Sequence, residues 1–69
     1  MRVRIGDPAL LGDLAEWLRD SGCVVEEEGP KTLRVSIPKS LREDAARLEL
    51  ALYLSTWQAT RPGVEVEIE

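Results

Sequence analysis

Sixty-nine residues hold one domain, of a size that buries only about 60% of the surface its unfolded chain exposes. With no histidine and a single cysteine, Cys23, the chain lacks the commonest metal ligand and general base, and no intrachain disulfide can form. Thirteen acidic against nine basic residues, a net charge of −4, oppose binding to a phosphate backbone, and no apolar run approaches the roughly eighteen residues of a membrane span. Composition therefore predicts no metal, no cofactor, no nucleic acid and no membrane. The absent signal pattern and lone thiol fit a reducing cytoplasm. A small scaffold without disulfide or metal commonly gains stability by association, so a homodimer, or a complex with another protein, is the expectation.

Arg2-Val3-Arg4-Ile5 alternates polar and apolar and predicts a first strand. Gly6-Asp7-Pro8 predicts a helix start, with Asp7 as N-cap and Pro8 at the first helical position. Leu10, Leu11, Leu14, Ala15, Trp17 and Leu18 then fall on one helical stripe, opposite Asp13, Glu16, Arg19 and Asp20, until Gly22 stops the helix. A second strand is expected over 23–28, half apolar and half acidic. Gly29-Pro30 marks a turn, and 31–37 alternates Leu33, Val35 and Ile37 with Thr32, Arg34 and Ser36, so the pair predicts a hairpin. Pro38 closes that strand. Ser40-Leu41-Arg42-Glu43 reads as a capping box opening a second helix over about 41–60, ended by Arg61-Pro62-Gly63. The last strand, 64–69, alternates Val64, Val66 and Ile68 with three glutamates.

The order βαββαβ predicts an α+β fold of the split βαβ, ferredoxin-like kind: a four-stranded antiparallel sheet with two helices on one face and strand order 4-1-3-2. That order sets the glutamates of the last strand beside Arg2 and Arg4, and Glu26 and Glu28 beside Arg34. Opposite charges across strands are mildly stabilising, so order and charge agree.

From Val3-Arg4-Ile5-Gly6-Asp7-Pro8-Ala9-Leu10-Leu11 through the apolar helix to Gly22-Cys23-Val24-Val25, the chain resembles the opening of an ACT domain. These are small βαββαβ regulatory modules that bind amino acids or similar ligands between chains. The resemblance covers about a third of the chain and implies a small-molecule site at Gly6, Asp7, Ala9 and Leu10, with Ala9 where that family carries glycine. As a whole the chain is also similar to short bacterial proteins of this length, which implies fold alone.

Other chemistries lack their residues. Base stacking on a sheet needs aromatics, and no predicted strand carries one. A soft-metal loop needs paired cysteines where Gly6-Asp7-Pro8 stands. A phosphoryl cradle there would be filled and repelled by Asp7 itself. Glu26, Glu27 and Glu28 alternate between faces and do not converge on a cation. Cys23 reads as a small core residue, and no catalytic residue is assigned.

The second helix stands apart. With Leu48 at 0°, one stripe within about ±60° collects Leu41, Ala45, Leu48, Leu52, Ser55 and Ala59, and another at about 140–240° collects Ala46, Leu50, Tyr53, Leu54 and Trp57. A helix on a sheet buries about half its circumference, so one stripe is in excess. Tyr and Trp anchor interfaces most often, which makes Ala46, Leu50, Tyr53, Leu54 and Trp57 the expected interface, although periodicity does not decide which stripe meets the sheet. The expected function is a non-enzymatic interaction module that self-associates through this helix; the alternative is an ACT-like sensor.

Overall fold

The computed structural model describes residues 1–69. Strand β1, Arg2–Ile5, has Val3 and Ile5 fully buried and both arginines exposed. Asp7 then turns the chain: its carboxylate accepts from the Ala9 N–H at 3.0 Å, starting a 3-10 turn, Pro8–Leu10, that runs into helix α1, Leu11–Asp20. Gly22, at φ 98°, ends α1. The Gly22 N–H donates to the Arg19 carbonyl and the Cys23 N–H to that of Leu18, both at 3.0 Å, the double return that a left-handed residue past the helix end permits.

Strands β2, Val24–Gly29, and β3, Thr32–Ser36, form the expected hairpin, with an irregularity in register between Glu27 and Gly29. Helix α2 runs Glu43–Ala59, and β4, Val66–Ile68, closes the order β2-β3-β1-β4, antiparallel throughout. This is the ferredoxin-like arrangement. Inward residues of β1, β2 and β3 join those of both helices in one cluster of 15 buried residues, so the helices share one face of the sheet.

The capping box does not form. The Ser40 hydroxyl donates instead to the Arg42 carbonyl at 3.1 Å, and α2 starts only at Glu43, whose side chain then falls at the first helical position. A short polar side chain that bonds nearby backbone competes with its own capping role. Leu41 is consequently outside the helix and 98% exposed.

On the uncovered face, Arg2 and Arg34 lie directly opposite each other, an arrangement that like charges resist. Glu28 resolves it by reaching both, at 3.3 Å from Arg2 Nε and 3.2 Å from Arg34 Nη2. Arg4 meets Glu69 at 3.4 Å, as the strand order implies, but Arg2 turns away from β4 and pairs across β3. Glu28→Gln is expected to destabilise by no more than about 1 kcal/mol, because both arginines are largely solvated and exposed pairs contribute little. Urea titration at low salt should show the loss and 1 M NaCl should shrink it to near zero; a loss insensitive to salt would contradict this origin.

Candidate interaction surface

Two stripes compete for the sheet, and the larger side chains take it. Leu50 is fully buried, with Leu54, Ala46 and Trp57 close behind. Tyr53 is half-buried, its ring edge-on to Trp17 at 6.2 Å between centroids, where α1 meets α2. The five residues expected as an interface, Ala46, Leu50, Tyr53, Leu54 and Trp57, therefore face the chain's own core, and that expectation is corrected. Burying an indole and two leucines removes more apolar area than burying the stripe of two helical leucines, alanines and a serine.

The remaining stripe faces outward. Leu48 and Leu52 are 70% and 69% exposed, and Ala45, Ala51, Ser55 and Ala59 beside them are exposed as well. Loose folding does not cause this, since the 11.0 Å radius of gyration equals the value of about 11 Å typical of a packed chain this long.

Along one flank of α2 the stripe runs down into a groove against β4. Leu48, Ala51 and Leu54 form one wall and Val66 and Ile68 the other, around a cavity of about 500 Å³. Two side chains of α2 bridge it. Arg47 donates to the Ile68 carbonyl at 3.4 Å and Gln58 to the Val64 carbonyl at 3.0 Å. The sequence flagged the excess of leucine on α2 but not this groove, which exists only once β4 is placed.

The residues singled out by the ACT resemblance are spread over a shallow surface. Gly6 donates its N–H to the Glu65 carbonyl at 2.8 Å, and the Asp7 carboxylate is occupied by Ala9. Ala9 is exposed, while Leu10 packs against the core. Gly6 and Asp7 border a small polar hollow with Gly63, Val64 and Glu65. At Gly6 an added Cβ would meet Glu65 only at ordinary contact, 3.6 Å. The Gly6 N–H and one oxygen of the Asp7 carboxylate are thus engaged within the chain.

Elsewhere, Arg61 clasps the helices together. Its Nε donates to Asp13 at 2.8 Å while its guanidinium lies 5.3 Å from the centroid of Trp57. Trp57 itself keeps its indole N–H buried with no acceptor. Burial, with the charge of Glu49, pushes the Cys23 thiol up from its ordinary value, which leaves it protonated and a poor nucleophile near neutral pH.

No family model, curated protein or solved structure matches this chain. Its class rests on its own architecture: a ferredoxin-like α+β domain with one helix left partly uncovered. No helix is long and apolar enough to cross a membrane.

Proposed function

We propose that this chain is a non-enzymatic interaction module of the cytoplasm that self-associates through the outer face of α2. The observation that carries it is the pair Leu48 and Leu52, each exposed by more than two thirds amid small residues. Two copies related by a two-fold axis, with α2 antiparallel to its mate, would seat leucines over Ala45, Ala51 and Ser55 and oppose the helix dipoles. The helix is about 25 Å long, too short to bury by itself the roughly 800 Å² per partner of a standard interface, so association is weak and concentration-dependent. The buried, protonated thiol suits a reducing compartment.

Light scattering across a hundredfold concentration range tests this. The mass should climb toward that of a dimer, and the double variant Leu48→Glu/Leu52→Glu should stay monomeric and melt where the dilute, monomeric wild type does, since both positions face solvent. A wild-type chain monomeric throughout, or a variant that associates equally well, would reject the reading.

A further inference from the structure

We propose that the free edge of β4, with the groove beneath α2, is a docking site for an extended strand of alternating basic and aliphatic residues from another protein. This surface shares Leu48 and Ala51 with the leucine face of α2, but its backbone edge on β4 is its own and the proposal does not rest on self-association.

The hydrogen-bond pattern fixes which residues offer that edge. Gly6 N–H donates to the Glu65 carbonyl and Glu69 N–H to the Arg2 carbonyl, each at 2.8 Å. Antiparallel ladders alternate, so Glu65, Glu67 and Glu69 bond to β1 while Val64, Val66 and Ile68 turn their backbone outward. At the two ends α2 supplies stand-ins for a neighbouring strand, Gln58 on the Val64 carbonyl and Arg47 on that of Ile68. Val66, midway, turns its N–H and carbonyl the same way, onto the groove that it lines. An arriving strand would exchange those two side-chain donors for its own amides, a nearly neutral trade, and add bonds at Val66.

Side chains on an added strand would alternate between two environments. Those on the helix side would enter the apolar groove of Leu48, Ala51, Leu54, Val66 and Ile68. Those on the open side would stand beside Glu65, Glu67 and Glu69, of which only Glu69 has an ion-pair partner, Arg4. Aliphatic and basic residues in alternation satisfy both. A second copy does not: β4 paired antiparallel with its own copy about Val66 would set Glu65 and Glu67 directly against their like, which sheets penalise. The opposite edge, β2, is acidic as well, but its Glu28 is engaged by two arginines and its register is interrupted at Glu27.

The probe is the peptide acetyl-Lys-Val-Lys-Val-Lys-Val-Lys-amide, titrated into ¹⁵N-labelled protein at a concentration where light scattering shows monomer. Amide shifts should concentrate at 64–68 and at Leu48 and Ala51. The double variant Glu65→Lys/Glu67→Lys, exposed at both positions and checked for folding by circular dichroism, should weaken binding at least about tenfold. The same peptide with glutamate for lysine, or with proline for the central valine, should not bind. Shifts confined to the open face, equal binding of the proline peptide, or no binding would overturn the proposal. So would the same β4 shifts on adding unlabelled protein, which would assign the edge to a second copy.

Discussion

Leu50→Ala will destabilise the domain by about 2–5 kcal/mol, whereas Leu48→Ala, two positions away, will change stability by less than about 0.5 kcal/mol. Leu50 is fully buried at the centre of α2 and Leu48 is 70% exposed. Deleting three buried carbons loses their transfer free energy and leaves a cavity; deleting them from the outer face does neither. A chain of this length has a total stability of about 3–10 kcal/mol, so the Leu50 variant should lose a large share of it. Urea titration by circular dichroism measures the equilibrium. Reaction of Cys23 with a disulfide reagent gives a second probe, because the buried thiol becomes accessible only on opening. If the two losses came out in reverse order, α2 would have to be rotated by about half a turn, and the leucines assigned here to the surface would form the core.

Trp57→Ala should destabilise by about 3–5 kcal/mol, and Trp57→Phe by less than half as much. The indole is 2% exposed, yet its N–H meets no acceptor. Burying a donor unpaired costs about 1–3 kcal/mol. Phenylalanine deletes the donor, keeps a ring under the Arg61 guanidinium, and gives up only part of the volume. Thermal melts resolve the difference, at about 4–8 °C per kcal/mol for a domain of this size. Equal losses from both substitutions would show that the N–H contributes a favourable bond, contrary to this geometry.

The strands and their order were legible because alternation in 2–5, 31–37 and 64–69 gives each strand one apolar face, and because right-handed crossovers favour the order β2-β3-β1-β4, with which the charges of β1 and β4 and of β2 and β3 agree. The partner of Arg2 was not legible. It depends on Glu28 reaching across β3 near the irregularity at Glu27 and Gly29, which no local pattern announces. The start of α2 misled for a related reason: Ser40 has the right chemistry for a cap, but its hydroxyl finds the Arg42 carbonyl first. On α2 itself, periodicity gave two apolar stripes correctly and was silent on which is inside. Helical angle ranks positions by direction, while the sheet selects by volume, so Trp57 and Leu54 go in and Leu48 and Leu52 stay out. The groove against β4 needed the register of the sheet and lay beyond any reading of the helix alone.

The position of β1 has a consequence for the nascent chain. It is the first of the four strands to be synthesised, yet in the sheet it lies between β3 and β4, both of which follow it in the chain. Its first partner begins at Thr32 and its second at Val66. Until then Val3 and Ile5 are a sticky segment with nothing to stick to, and the arginines alternating with them act as gatekeepers against pairing with other chains. Separations this long between paired strands also slow the search for the native topology. The sheet therefore closes only once β4 is available, with β1 as the strand that waits.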